Sequence, residues 1–175
     1  MNRPTVYTVG HSSHQLDFFL ELIKTFEINC IVDVRSIPAS AYNPQYNQDL
    51  FKNFLKNNHI TYLHFAEEFG AKQTDHDLLD NDGKLDFEKV RKTRLFNYGL
   101  ERIWHGIDKG FRIALMCSES EPLDCHRFSM VSIGFENDGF EVKHILKDKS
   151  VKTNLELEKE LLKKYAKKIQ SKKYK

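Results

Sequence analysis

The sequence lacks any apolar run approaching a length of about 20 residues, which spanning a membrane requires. Its first ten residues, MNRPTVYTVG, lack the apolar segment of a secretory signal peptide. Charged residues make up 30% of the chain and hydrophobic residues 40%, which is typical of globular proteins with an apolar core. We therefore expect a cytoplasmic protein that does not insert into a membrane.

Cysteine is scarce, because the 175 residues contain only Cys30, Cys117 and Cys125. An odd number excludes a framework in which every cysteine is paired within the chain, and it fits a reducing compartment. No two cysteines have the Cys-x-x-Cys spacing of common zinc and redox motifs. The thiols are therefore available for packing, metal binding or chemistry.

Arginine is absent from residues 147–175, which contain eleven lysines and four acidic residues. This tail therefore carries +7, and the total of +2 leaves −5 for residues 1–146. The lysines favour either a helix docked on the domain with a solvated lysine face or a helix that binds nucleic acid or another partner. Because the tail has no arginine and few aromatics, base-specific recognition is not expected.

Five short apolar segments alternate with helical patterns along residues 1–146. The predicted strands are TVYTVG, CIVDVR, ITYLHF, FRIALMC and FEVKHIL. Near-continuous apolar runs are typical of strands covered on both faces, and strands separated by helices form parallel sheets with right-handed crossovers. We expect a three-layer α/β fold, with a mostly parallel sheet of about five strands and helices on both faces. Residues 1–146 would form a single domain, and residues 147–175 a lysine-rich C-terminal helix or tail.

Two helix starts are predicted next to these strands. Ser12 and Gln15 have the spacing of a capping box before an apolar stripe, so Ser12 and Ser13 are expected to cap a helix. The N-terminus of that helix could also hold an anion. A further helix is expected from about Asp124 to Asn137, after the fourth strand.

Polar clusters stand at the ends of three predicted strands: GHSS at the first, DVRS at the second and CSESEPLDCHR at the fourth. Ligands of open α/β sheets bind beyond the C-terminal ends of the strands. If these three strands are neighbours, their clusters converge on one rim. The convergence is the main functional indication in the sequence.

In the first two clusters, His11 carries an imidazole whose ordinary pKa suits proton transfer. Asp33 lies inside an apolar strand, where a carboxylate needs a partner. Asp33 would either orient His11 or form a structural pair with Arg35 or His11. Arg35 is a candidate anion ligand, because a guanidinium binds phosphate or carboxylate bidentately.

The third cluster admits three interpretations. A zinc site would use Cys117, Cys125 and His126, but neighbouring residues at a helix start point about 100° apart, which disfavours a shared metal. A rhodanese-like or phosphatase-type loop needs an arginine at a fixed distance after its cysteine, and leucine stands there. The interpretation that demands the least special geometry is a small-molecule pocket lined by Glu119, His126 and Arg127.

Several motifs occur in an order typical of one family. They are TVGHSS, IVDVRSIPASAYNPQYN, DGKLDFEKV, FRIALMCSESEPLDCHR and GFEVKHI. Together they resemble the domain-of-unknown-function 488 family, whose pattern has a GHS motif, a DVRS-x-P strand end with an NPQFN-like loop, and a CAE…CHR motif. The resemblance implies an α/β fold with these motifs clustered, and it implies no particular reaction. The loop motif adds Asn43, and with it the adjacent Tyr42, to the candidate binding residues.

The candidate catalytic residues are His11, Asp33, Cys117 and Glu119. The candidate substrate-binding residues are Ser12, Ser13, Arg35, Tyr42, Asn43, Cys125, His126 and Arg127. We expect an enzyme acting on a small polar, anionic or nucleotide-like substrate. The alternatives are a ligand-binding or sensor module without turnover and a nucleic-acid-associated protein that uses the basic tail. No cofactor is predicted, zinc is the disfavoured alternative, and the residues do not indicate an oligomeric state.

Overall fold

Six strands form one sheet within residues 3–173, the part of the chain that the computed structural model describes, with side chains described to residue 167. They are β1 Thr5–Gly10, β2 Cys30–Asp33, β3 Thr61–His64, β4 Ile113–Cys117, β5 Glu141–Ile145 and β6 Val151–Thr153. The strand order is β3-β2-β4-β1-β5-β6, and every neighbouring pair is parallel except β5 and β6. The predicted mostly parallel sheet is confirmed, although the sequence did not predict β6.

Helices connect the strands. They are α1 Leu16–Thr25, α2 Gln48–Asn57, α3 Ala66–Phe69, α4 Phe87–Arg91, α5 Arg94–Asp108, α6 Ile133–Asn137 and α7 Asn154–Lys173. Apolar residues from both sides of the sheet pack against them. On one face, Phe19 of α1 and Phe51 of α2 belong to a buried cluster with Ile31 of β2. On the other face, Phe96 of α5 packs in a second cluster with Val32 of β2. The predicted three-layer arrangement is therefore confirmed.

The strand order creates a crevice between β2 and β4. From β2 the chain passes through α2 to β3 on one side, whereas from the adjacent β4 it passes through α6 to β5 on the other side. The two connections therefore separate above the sheet, at the C-terminal ends of the strands. Such a switch point is where open α/β sheets bind their ligands.

The segment after β1 differs from the predicted helix start. α1 begins at Leu16, and among the described residues no side chain caps it. Ser12 lies earlier, with a φ of 48°, and its backbone N–H donates to the carbonyl of Ser118 at 2.9 Å. The predicted capping role of Ser12 and Ser13 is therefore wrong, because this segment is tied to the loop after β4.

Residues 124–137 do not form the continuous α-helix that the sequence predicts. The chain makes a 3₁₀ turn at Pro122–Asp124 and is extended at Cys125, with φ −128° and ψ 143°. It then forms a wide π-helical segment, Arg127–Ser132, that leads into α6. Segments of this kind occur frequently at functional sites.

The start of the tail packs on the domain. β6 pairs with β5, and Leu157 of α7 is 3% exposed, whereas Leu162 further along α7 is 69% exposed. The predicted division at residue 146 and the nucleic-acid role of the tail stay predictions. Over the described residues, none of the helices combines the length and the apolar character needed to span a membrane.

Candidate functional site

A cavity of about 350 Å³ lies at the C-terminal ends of β2 and β4. The polar and sulfur-containing side chains in its lining are those of Arg35, Ser36, Lys72, Cys117, Ser118, Glu119 and His126. We call this cavity the rim crevice. A cavity of similar size, about 370 Å³, lies between α4, α5 and α6, away from the strand ends. Because the lining of the rim crevice includes residues that follow β2 and residues that follow β4, the predicted clusters of these two strands meet there.

Asp33 and Arg35 form a buried ion pair below the rim crevice. Arg35 donates from Nε to Oδ1 of Asp33 at 2.9 Å and from Nη2 to Oδ2 at 2.6 Å. Tyr62 of β3 donates its hydroxyl to the same carboxylate at 2.7 Å. Burial by itself would lower the pKa of Arg35, but the contacts with Asp33 outweigh it and raise that pKa. Arg35 therefore stays charged and is held in one position.

His11 lies on the far side of Arg35 from Asp33. Its Nδ1 donates to the carbonyl of Ser12 at 2.7 Å, and its Nε2 accepts from Nη1 of Arg35 at 3.1 Å. The ring stacks on Tyr46, with 4.1 Å between centroids, and is 1% exposed. Burial lowers the pKa of His11 to about 4, and the positive charge of Arg35 acts in the same direction. The imidazole is therefore neutral.

No hydrogen bond joins Asp33 to His11 in the described part of the chain. Of the sequence interpretations for Asp33, the pair with Arg35 is the one present. The interpretation in which Asp33 orients His11 directly is wrong, because the guanidinium of Arg35 lies between them.

A row of three side chains crosses the loop after β4. Cys125 donates from its thiol to Sγ of Cys117 at 2.9 Å, and Cys117 donates to a carboxylate oxygen of Glu119, also at 2.9 Å. Contact with the Cys125 thiol, together with burial, raises the pKa of Cys117. Burial by itself would raise the pKa of Glu119, but the hydrogen bond from Cys117 and the nearby Cys125 thiol outweigh it and lower that pKa. A protonated Cys117 thiol therefore faces an ionised carboxylate.

His126 completes this group. Its Nδ1 lies 3.9 Å from Sγ of Cys117 and 3.7 Å from Sγ of Cys125. Burial by itself would lower the pKa of His126, but contact with Cys117 and the charge of Glu119 raise it. The sequence argument that the side chains of Cys125 and His126 diverge is wrong, because Cys125 is extended and not helical.

Arg127 holds the loop from below. It is fully buried, and its guanidinium donates to the carbonyls of Glu119 at 2.5 Å and Ser120 at 2.8 Å. Its backbone N–H donates to Sγ of Cys125 at 3.4 Å. Gly10 permits this packing, because a Cβ there would lie 1.8 Å from the Glu119 carbonyl oxygen. The arrangement fixes the positions of both cysteines.

The structure separates the predicted site residues into two groups. Those brought together at or directly beneath the rim crevice are His11, Asp33, Arg35, Cys117, Glu119, Cys125, His126 and Arg127. Among the other four, Tyr42 is 94% exposed and Ser13 is exposed. Ser12 and Asn43 are half-buried outside the crevice lining. The catalytic and substrate-binding roles assigned to the twelve stay predictions.

The candidate residues predicted from the sequence left out Ser36, Tyr46, Tyr62 and Lys72 of this region, although Ser36 belongs to the DVRS cluster. Ser36 follows Arg35 directly, and its Oγ accepts from the backbone N–H of Lys72 at 2.8 Å. Tyr46 belongs to the NPQYN loop and stacks on His11, so the motif was the available signal. Tyr62 had no signal, because its contact with Asp33 depends on the pairing of β2 and β3.

A comparison with protein-family models matches residues 15–132 to the family described as Domain of unknown function DUF488. The chain belongs to that family. The family match includes the DVRS and CHR clusters but begins after His11. Searches of curated proteins and of solved structures gave no match. Membership in the domain-of-unknown-function 488 family confirms the resemblance seen in the motifs and assigns no activity.

Proposed function

We propose that the protein is an enzyme that acts on a small, polar, anionic substrate bound in the rim crevice. The observation that carries the proposal is the opening of Cys117, Glu119 and His126 into one cavity at the switch point between β2 and β4. A concave site where few polar groups converge is the usual form of a small-molecule site.

Glu119 is the best candidate for proton transfer. Its carboxylate lies at the surface of the rim crevice, where it can reach a substrate, and its lowered pKa keeps it ionised, so it would act as a general base of low strength. His11 is less suited to this role, because it is buried behind Arg35 and both ring nitrogens are engaged. We therefore propose that His11 and Asp33 hold Arg35 in place and that Arg35 presents a fixed positive charge to the crevice.

Cys117 is a weak candidate nucleophile on its own. A thiolate, and not a thiol, attacks, and burial and the contact with Cys125 raise the pKa of Cys117. Attack by this sulfur would require loss of its proton to Glu119 or a change in its surroundings. The carboxylate at 2.9 Å is placed for the first of these routes, but the raised pKa of Cys117 and the lowered pKa of Glu119 oppose the transfer.

An anionic substrate fits the charges of the crevice. Lys72 is exposed in the lining, and the guanidinium of Arg35 forms part of the floor. The backbone at Lys72 is anchored by Ser36, which keeps the ammonium group near the cavity. Arg35 already binds Asp33 bidentately, whereas the Lys72 ammonium makes no hydrogen bond within residues 3–167, so its donors are available for a phosphate or carboxylate.

A thermal-shift screen of phosphates, nucleotides and small carboxylates tests the proposal. A ligand at 100 times its Kd should add about 2.7 kcal/mol of stability to the wild type. The Lys72→Gln variant should lose the shift, whereas Lys109→Gln, an exposed lysine before β4, should keep it. A ligand that stabilises both variants equally would place the binding site elsewhere.

Turnover is measured separately by mass spectrometry of the bound ligand after incubation with enzyme. We expect a product with the wild type and none with Glu119→Gln, although Glu119→Gln should still bind the ligand. Binding without any product in the wild type would instead favour the sensor alternative.

A further inference from the structure

We propose that Cys117, Cys125 and His126 bind one zinc ion through Sγ, Sγ and Nδ1. These ligand atoms all lie within 4.8 Å of one another. The site goes beyond the proposed function, because its geometry does not depend on which substrate enters the rim crevice.

Two of the three distances between the ligand atoms match a tetrahedral zinc centre, and the third requires a movement of the sulfurs. With Zn–S of about 2.3 Å and Zn–N of about 2.0 Å, tetrahedral angles place sulfur and nitrogen about 3.6 Å apart and the two sulfurs about 3.8 Å apart. Nδ1 of His126 is 3.9 Å from one sulfur and 3.7 Å from the other. The two sulfurs, at 2.9 Å, need to separate by about 0.9 Å, which small side-chain rotations achieve.

The ligands are preformed by the backbone. Cys117 ends β4, Cys125 is extended and His126 precedes the π-helical segment, so three different local conformations aim three donors at one point. Arg127 fixes the loop between the two cysteines by donating from its guanidinium to two carbonyls of that loop. Its N–H to Sγ of Cys125 is an outer contact of the kind that orients metal ligands.

The donor set selects the metal. Two cysteine sulfurs and an imidazole are soft or intermediate ligands, which favour Zn²⁺ over Mg²⁺ or Ca²⁺. On binding, the two thiols release their protons to solvent, and the resulting thiolates balance the charge of the ion. Glu119 would remain beside Cys117, and a three-ligand centre keeps one position open toward the crevice, as catalytic zinc sites do.

A redox pair of Cys117 and Cys125 is the competing explanation for the short distance between the sulfurs. A disulfide accounts for two of the three groups only. It does not account for an imidazole nitrogen placed almost equally far from both sulfurs, which zinc binding explains directly.

Metal content and affinity test the proposal in the full-length, reduced protein. After dialysis against zinc and gel filtration, elemental analysis should find one zinc per chain in the wild type. Cobalt in place of zinc should give the thiolate charge-transfer and d–d absorption of a tetrahedral site. Zinc titration against a chelator indicator should show affinity at least about 100-fold weaker in Cys125→Ser and in His126→Gln, since even outer-shell changes cost 10–100-fold.

Cys30→Ala is the matched control, because Cys30 is a buried thiol at the opposite end of the sheet, in β2. It should bind zinc like the wild type. Far-ultraviolet circular dichroism in chelator checks that each variant is folded, and His126→Gln, at a half-buried position, serves if a cysteine variant does not fold.

Two results would overturn the proposal. One is zinc affinity unchanged in both Cys125→Ser and His126→Gln. The other is a wild type that binds no zinc but forms a Cys117–Cys125 disulfide in glutathione buffer, seen as a mass lower by two hydrogen atoms. The anion screen with Lys72→Gln, repeated in chelator, shows separately whether the proposed substrate site stands without metal.

Discussion

Arg35 donates to both carboxylate oxygens of Asp33, and the two side chains are 5% and 0% exposed. Arg35 forms part of the floor of the rim crevice, Asp33 lies beneath it, and the guanidinium separates the carboxylate from His11. Removing one member leaves the other charge buried without a partner. The pair is therefore expected to be among the most sensitive positions of the chain.

Asp33→Asn should lower the free energy of unfolding by about 3–5 kcal/mol, the usual cost of breaking a buried ion pair. Urea denaturation followed by circular dichroism measures it. Glu88→Gln is the control, because it breaks the exposed pair between Glu88 of α4 and Lys92 just after that helix and should change stability little. Equal effects of the two substitutions would contradict the importance of the Asp33–Arg35 pair.

His144 should make stability depend on pH. It is fully buried, with Nδ1 near the Thr8 hydroxyl at 2.8 Å and Nε2 near Oδ1 of Asn154 at 2.5 Å, and burial lowers its pKa to about 4. The unfolded chain takes up a proton below about pH 6.5, whereas the folded protein does so only near pH 4. Stability should therefore be constant above pH 6.5 and fall as the pH drops to about 4, by about 3 kcal/mol for this group.

The measurement is urea unfolding at a series of pH values. His144→Gln should flatten the slope between pH 6.5 and 4 by about one proton, and His11→Gln should act in the same direction, because the pKa of His11 is lowered likewise. Thr74→Gln, at an exposed position without a titratable side chain, should leave the slope unchanged. A slope that is identical in all three variants and the wild type would refute the assignment.

Gly10→Ala should damage the site through the loop after β4. The added Cβ would lie 1.8 Å from the Glu119 carbonyl oxygen and 2.8 Å from Nη1 of Arg127, so the loop has to move. We expect a loss of about 3 kcal/mol in stability and weaker ligand binding in the crevice, measured by thermal unfolding. Gly106→Ala in α5 is the control. There the nearest atom is the flexible Cδ1 of Ile113 at 3.0 Å, and alanine favours the helix by about 1 kcal/mol.

Leu157 and Leu162 test how far the C-terminal helix is docked. Leu157→Ala removes a buried side chain and should cost about 2–4 kcal/mol of unfolding free energy. Leu162→Ala, at a position 69% exposed on the same helix, should change stability by less than about 0.5 kcal/mol. Similar losses at both positions would mean that α7 is covered along its length.

The five strands of the predicted sheet followed from apolar runs alone, and the predicted bounds of β1, Thr5–Gly10, agree with the structure. β6 was missed because Val151–Thr153 is three residues long and carries no apolar run. Its pairing depends on the turn at residues 147–150. The sequence predicted that the polar clusters converge only if their three strands are neighbours. It could not show that they are, because long-range pairing places β4 between β1 and β2.

The chemistry of the site was harder to anticipate. Helical spacing separates Cys125 and His126, but the extended backbone at Cys125 brings their donor atoms together. The contact between Arg35 and His11 depends on the adjacency of loops that are distant in the chain. Sequence patterns rarely predict an extended residue such as Cys125 within a helical segment. Tertiary contacts, such as those of Arg127, determine that conformation.

The buried guanidinium of Arg127 has a further effect on how a ligand would enter. By binding the carbonyls of Glu119 and Ser120, it orders the loop between the cysteines as part of folding. A ligand or metal arriving at the crevice meets walls that are already rigid, so no segment has to fold around it. Calorimetry should therefore show a small change in heat capacity on binding, unlike the large negative change of coupled folding.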